Sequence, residues 1–223
     1  MLGNRDVLIF DLDGTLVDSA PDLHRCLNAV LREQGRRAVS LADIRAMVGD
    51  GAAKLVERGF ADTGEPVDPA GLPALVERFL VHYAAGRHAL TKPFPGVSET
   101  LAALQARGCR LGVCTNKPYR PTMEILEILD LARFFGGVTG GDSLAMRKPD
   151  PGHLLGTLAL VGGVPEAAVM IGDSANDVAV ARAARVPVVV VAYGYTQVPP
   201  SELGADAVIE RFGDLASLRL PAS

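Results

Sequence analysis

The apolar run Val7-Leu8-Ile9-Phe10 ends abruptly in Asp11-Leu12-Asp13-Gly14-Thr15, and no other stretch limits the possible folds so tightly. Four apolar residues without polar alternation predict a strand covered on both faces, as in a parallel sheet. Open sheets of that kind do their chemistry beyond the carboxyl ends of the strands. Asp11 stands at that end, and Asp13 faces the same side if the extended geometry persists. Gly14 then permits a sharp turn or a close approach to a ligand. Two carboxylates so near each other repel unless a cation or a shared proton relieves them. Magnesium suits the pair, since it takes hard oxygen ligands and accompanies phosphate chemistry. A bare Asp-x-Asp is also an ordinary polar turn. The longer Asp-x-Asp-Gly-Thr arises by chance on the order of 10⁻⁵ per position, which favours a functional origin.

Helical patterns follow the strand. Ser19-Ala20-Pro21-Asp22 carries a cap residue, an early proline and an early acid, and Leu23, Leu27, Val30 and Leu31 recur at helical spacing up to Gly35. Ser40-Leu41-Ala42-Asp43 starts a second helix that ends at the turn Gly49-Asp50-Gly51, and two more patterns cover residues 52–60 and 72–83. Four helices with no strand between them predict a helical insert, residues 19–89, in a core made of residues 1–18 and 90–223. From Pro93 onward strands and helices alternate. Strands are expected at 110–114, 169–172 and 188–191, with a weaker one within 134–139. Helices are expected at 97–107, 121–129, 153–161 and 175–185. Such alternation implies a doubly wound parallel sheet, an α/β core of Rossmann-like type with an inserted helical domain.

Three of these strands end in polar residues: Asp11 and Asp13, then Thr115 and Asn116, then Asp173 followed by Asp177. Strand ends on one edge of a parallel sheet meet in space however far apart they are in sequence. Taken singly, Thr115-Asn116 reads as a cap or turn, and Asp173 or Ser174 reads as an N-cap. Four acids at one edge, however, are what a divalent metal needs and are costly without one. Lys148, with Arg147 as its rival, would compensate a phosphate dianion among them.

The stretch from Phe10 to Ser19 resembles the first motif of the haloacid dehalogenase-like (HAD) phosphohydrolases, whose first Asp is a covalent nucleophile and whose second is a general acid and base. Thr115 in Cys114-Thr115-Asn116-Lys117, Lys148 in Arg147-Lys148-Pro149-Asp150-Pro151, and Asp173 with Asp177 resemble its other three motifs. The helical insert is similar to the cap domain of the capped members. Val48-Gly49-Asp50-Gly51, Cys114-Thr115-Asn116-Lys117-Pro118, Gly140-Gly141-Asp142 and Tyr193-Gly194-Tyr195 most resemble the bacterial phosphoglycolate phosphatases. Such relatives usually carry Gly where this chain has Arg185, the position of a helix stop.

The resemblance implies a magnesium-dependent hydrolase of a small phosphate monoester, 2-phosphoglycolate first. Sugar phosphates, nucleotides and pyrophosphate stay open as substrates, as does a catalytically idle relative that only binds phosphorylated ligands. Asp11, Asp13, Thr115 and Lys148 would be catalytic, and Thr115, Asn116 and Lys148 would hold the phosphoryl group. The resemblance assigns the metal to the Asp11 carboxylate, the Asp13 carbonyl and Asp173, with Asp177 direct, through water or in support. In the insert, Gly49, Asp50 and Gly51 could present backbone N–H groups to an anion at a helix start. Arg45 or Lys54 could add a charge-assisted bond to a substrate carboxylate.

Net charge −4 supplies no basic footprint for nucleic acid, and the chain has no Trp to stack bases. Its apolar runs are too short to span a bilayer, and residues 1–6 show no secretory signal. Cys26, Cys109 and Cys114 read as buried thiols of a reducing, cytoplasmic compartment. The partner so implied is a small phosphorylated metabolite, handled by a monomer or homodimer away from membranes and nucleic acid. Other constellations fail. No G-K-[ST] exists, the Gly-Asp-Ser segments lack the closing Gly of a nucleophile elbow, and His24, His82, His88 and His153 show no metal spacing, which leaves them as surface or packing residues.

Overall fold

The computed structural model describes residues 5–218. Residues 1–4, part of the segment expected to carry no secretory signal, lie outside them. The chain divides into two compact units, one taking it up to Val17 and again from Pro93 onward, the other taking Asp18–Lys92.

Strand β1 (Val7–Phe10) is fully buried and runs into a tight loop, in which Leu16 and Val17 donate backbone N–H groups to the Leu12 carbonyl. Beyond it, β2 (Val17–Asp18) pairs with β3 (Lys92–Pro93) as a separate two-stranded sheet. The Phe94 N–H donates to the Leu16 carbonyl at 3.0 Å, so the chain leaves the first unit and re-enters it side by side. The remaining strands are β4 (Arg110–Cys114), β5 (Gly137–Thr139), β6 (Ala168–Gly172), β7 (Val188–Val191) and β8 (Ala207–Ile209). With β1 they form one parallel sheet of order β5-β4-β1-β6-β7-β8. Phe10 lies in register with Val113 on one side and Ile171 on the other. One residue further along each strand, Asp11, Cys114 and Gly172 therefore reach the same edge.

Helices of the second unit are α1 (Ala20–Glu33), α2 (Leu41–Met47), α3 (Ala52–Thr63) and α4 (Leu72–Ala85). Those of the first are α5 (Val97–Ala106), α6 (Tyr119–Ile128), α7 (Pro151–Leu160) and α8 (Ala175–Ala183). Val7 and Ile9 pack with Leu154 and Leu158 of α7 and with Val180 of α8. Phe10 points the other way, against the rings of Phe135 and Phe212. Both faces of the sheet are thus covered, which is why β1 tolerates no polar residue.

Several local features depart from the sequence expectation. The weak strand expected at 134–139 is present as β5 but covers only its last three residues, because a 3₁₀ turn, Ala132–Phe134, runs into its start. Strand β8 was not anticipated; it has three residues and leaves Val208 exposed. Ser19 stands at the N-cap of α1 without a side-chain capping bond, and Asp22 is fully buried, accepting from the Leu90 and Thr91 N–H groups and the Thr91 hydroxyl. The acid expected to serve a helix end thus ties α1 to the segment that closes its own unit. Arg185 takes φ 57° at the end of α8, where Val186 N–H returns to the Ala181 carbonyl and Arg185 N–H to Arg182. This is a Schellman stop built without its usual glycine.

Candidate active site

The carboxyl edge of the sheet brings Asp11, Asp13, Thr115, Asn116, Lys148, Asp173 and Asp177 together. Asp11 extends β1 by one bond, its N–H donating to the Ile171 carbonyl at 2.9 Å, and Thr115 extends β4 in the same way toward Thr139 at 3.0 Å. Lys148 is buried, with Nζ 2.9 Å from Asp11 Oδ1 and 2.7 Å from Asp177 Oδ1. Asp177 also closes the start of α8. Its Oδ2 accepts from the Asp173 and Ser174 N–H groups and from the Ser174 hydroxyl. Asp173 is held at both oxygens, by the Thr15 hydroxyl at 3.1 Å and the Tyr195 N–H at 2.7 Å.

Glycines make this packing possible. A Cβ on Gly14 would lie 2.3 Å from Asp173 Oδ2, and one on Gly194 would lie 2.2 Å from Asp173 Cβ. Gly14 also needs φ +83°, which other residues rarely adopt. Between the loops that follow β4 and β5 the fit is equally close. A Cβ on Gly141 would meet the Asn116 carbonyl oxygen at 2.4 Å, and Asp142 Oδ1 accepts from the Tyr119 N–H at the start of α6.

Carboxylate oxygens of Asp11, Asp173 and Asp177 all lie within 4.8 Å of one another. Burial pushes the Asp11 carboxyl up to about 6 against the pull of Lys148, and burial with the neighbouring Asp177 and Asp11 charges raises Asp173 well above its usual range. Although burial opposes its charge, Lys148 is held above the ordinary lysine range by Asp11 and Asp177. Three buried carboxylates, two of which share one ammonium, leave excess negative charge and acceptor oxygens, a donor set that fits a small hard cation.

The carboxylate of Asp13 is outside that cluster. Both of its oxygens lie 3.1 Å from Lys117 Nζ, a pair the motif reading did not foresee. His153 was expected to be a packing residue. It is fully buried, but its Nδ1 accepts the Lys148 N–H at 3.1 Å and its Nε2 lies 3.1 Å from the Gly140 carbonyl, which fixes the tautomer with the proton on Nε2. Burial and then Lys148 lower its pKa to about 4. Asn116 donates from Nδ2 to the Lys148 carbonyl, so its amide also steadies the lysine. Thr115 Oγ1 accepts the Lys117 N–H at 3.3 Å, which leaves its own proton to donate elsewhere.

The remaining predicted positions belong to the second unit. Gly49 and Gly51 have φ 122° and 85°, and Gly51 is the N-cap of α3. Asp50 pairs with Arg58, Arg45 with Asp18 at 3.1 Å, and Lys54 with Glu57 at 2.7 Å. All three cysteines are free thiols, and burial pushes Cys114 up to about 11. Among the described residues no helix is long and apolar enough to cross a membrane.

Comparison with known proteins agrees with this fold. The family model described as Haloacid dehalogenase-like hydrolase matches residues 8–191, and the chain belongs to that family of enzymes. A phosphoglycolate phosphatase of Caulobacter vibrioides is 47% identical over 212 residues, covering 95% of this chain and 90% of that one. One from Rhodospirillum rubrum is 48% identical, covering 93% and 88%. The crystal structure of a predicted phosphoglycolate phosphatase from Haemophilus somnus superposes with a TM-score of 0.91 at 29% identity, over 97% of this chain and 99% of that one. Within that family the chain is a hydrolase similar over nearly its whole length to proteins described as phosphoglycolate phosphatases.

Proposed function

We propose that this enzyme hydrolyses a small phosphate monoester through a phosphoaspartyl intermediate, with 2-phosphoglycolate as its substrate and magnesium as its cofactor. One observation carries the proposal. Asp11 sits in a buried cluster with Asp173, Asp177 and Lys148, while the second carboxylate of the motif, Asp13, is held apart from that cluster on a different lysine. That separation supports giving one acid to phosphorus and the other to the leaving group.

In this reading an Asp11 oxygen attacks phosphorus in line as the ester oxygen departs, and Asp13 gives that oxygen its proton. Asp13 then takes a proton from the water that attacks the phosphoaspartate, which releases phosphate and restores Asp11. The Thr115 hydroxyl and the Lys148 ammonium donate to the equatorial phosphoryl oxygens, where charge spreads in the transition state. Asn116 and His153 hold Lys148 for that task. Asp11 and Asp173 would hold magnesium, together with the Asp13 carbonyl and with Asp177 as ligand or support. When bound, the ion neutralises phosphoryl charge and favours ionised Asp11.

The helical unit would be the cap that excludes water and discriminates among monoesters. Its Gly49–Gly51 turn and the start of α3 would offer N–H groups to an anion. Arg45 and Lys54 are engaged in exposed ion pairs, which are weak enough to exchange for a ligand. The likeness to phosphoglycolate phosphatases over nearly the whole chain supports 2-phosphoglycolate over sugar phosphates, nucleotides and pyrophosphate.

A monoester panel in magnesium, with a chelated control, tests this. The highest kcat/KM should fall on 2-phosphoglycolate, chelation should abolish turnover, and Asp11→Asn should lose essentially all of it while staying folded. Preference for a nucleotide or sugar phosphate would overturn the substrate. Activity in excess chelator would remove the metal, and retention of more than a few per cent in Asp11→Asn would remove the nucleophile.

A further inference from the structure

Lys117 has no part in the mechanism above beyond its contact with Asp13, yet it is among the most constrained cations of the molecule. Its side chain is only 5% exposed. Its N–H donates to Thr115 Oγ1 and its carbonyl accepts the Gly141 N–H at 2.8 Å, so the backbone beneath it is fixed. A Cβ on Gly140 would approach that same carbonyl to 2.8 Å, so the loop after β5 presses directly on it. Burying a lysine is expensive, and a long side chain loses its rotamer freedom in the process. Lys148, the other buried lysine of the site, is divided between Asp11 and Asp177, whereas the Lys117 ammonium lies against the acid that serves the leaving group.

We propose that Lys117 is the specificity-determining residue of the core, and that it recognises an anionic group on the leaving-group side of the substrate, a carboxylate two bonds from the ester oxygen. This rests on the role given to Asp13 above. A general acid must come within about 3 Å of the oxygen it protonates. Lys117 Nζ lies 3.1 Å from each Asp13 oxygen. Its ammonium is therefore within roughly 6 Å of the ester oxygen before the stem adjusts at all. In a 2-phospho acid the carboxyl carbon is about 2.4 Å from that oxygen, from ordinary bond lengths. A carboxylate there falls between ester oxygen and ammonium, within reach of a charge-assisted hydrogen bond. Lysine suits the task, being a point charge on a flexible stem that can move from Asp13 to the ligand without rebuilding the loop. A monoester with a neutral leaving group offers nothing to draw it away.

The test is a cycle between enzyme and substrate charge. Wild type and Lys117→Met are assayed in saturating magnesium with 2-phosphoglycolate and with its neutral, nearly isosteric amide, 2-phosphoglycolamide. Wild type should prefer the acid. Lys117→Met should lose about 10- to 100-fold more in kcat/KM on the acid than on the amide, as for a buried hydrogen bond to a charged group, while any loss common to both substrates reports the effect on Asp13, which Lys117 holds. Turnover of the amide reports that the variant is folded, and Lys117→Gln replaces it if the methionine variant is insoluble. Equal losses on the two substrates, or an acid preference that survives in the variant, would overturn the role of Lys117 while leaving the phosphatase reading intact. A wild-type enzyme indifferent to the substrate's charge would overturn the role of Lys117 and the choice of 2-phosphoglycolate, but not the phosphatase chemistry.

Discussion

Replacing Gly194 by alanine should damage the site without touching a side chain in it. The added Cβ would lie 2.2 Å from Asp173 Cβ and 2.6 Å from Asp173 Oδ2. Asp173 has little freedom to yield, because its oxygens are bonded to Thr15 and Tyr195 and Gly14 closes its other flank. The loop after β7 must then move outward, which stretches the bond from the Tyr195 N–H. Overpacking of this kind costs about 1–3 kcal/mol. A lost hydrogen bond to a charged acceptor is of similar size, about 1.5–3 kcal/mol, and the two overlap because one movement causes both. A net loss of about 3 kcal/mol should lower Tm by about 6–12 °C in a chain of this length. Thermal melts of the metal-free protein measure this directly, and an activity titration should show a rise of about tenfold or more in the magnesium needed for half-maximal rate. Gly213→Ala is the control. Its Cβ would have 3.8 Å to the nearest atom, Thr100 Oγ1, and the change should be almost silent. A Gly194→Ala protein that melts within about 2 °C of wild type and reaches half-maximal rate at the same magnesium concentration would refute the reasoning.

Two further expectations concern single positions. His153 has its pKa lowered to about 4, so between pH 6.5 and 4 the unfolded chain binds the extra proton and stability falls as pH falls. Removing that contribution in His153→Gln should narrow the stability gap to wild type by about 2 kcal/mol between pH 7 and pH 5 in urea denaturation, and a constant gap would contradict the buried neutral ring. Arg185→Gly should relieve the left-handed conformation and raise stability by about 1 kcal/mol in the same assay, and an unchanged or lower value would show that the Schellman stop carries no strain.

The sheet was legible in the sequence where its strands are buried on both faces. Val7–Phe10, Ala168–Gly172 and Val188–Val191 are apolar throughout, and Arg110–Cys114 is so after its first residue, because those positions are buried. Strand β8 was not, since three residues at a sheet edge, one of them exposed, carry no pattern of their own. The acids of the site were legible for a related reason: carboxylates that interrupt buried strands need a cause. Lys117 and His153 lacked any such signal. A lysine after Thr-Asn reads as a solvated loop residue, and a lone histidine in an apolar helix reads as packing. What each one does is set by distant partners, Asp13 for Lys117 and Gly140 for His153. Asp22 shows the same limit, because its cap-like position concealed a bond to Thr91.

The hydrogen bond between Phe94 and Leu16 has an evolutionary consequence. Because the polypeptide departs and comes back at neighbouring points, the sheet sees everything from Asp18 to Lys92 as the interior of one closed loop. Closing such a loop depends on length only logarithmically, so growing it from ten residues to eighty costs about 2 kcal/mol. An ancestral short connection could therefore have been exchanged for a helical module, or one module for another, while the first unit went on folding from the same strands. Divergence in what is hydrolysed and constancy in how it is hydrolysed would then be two outcomes of a single piece of chain geometry.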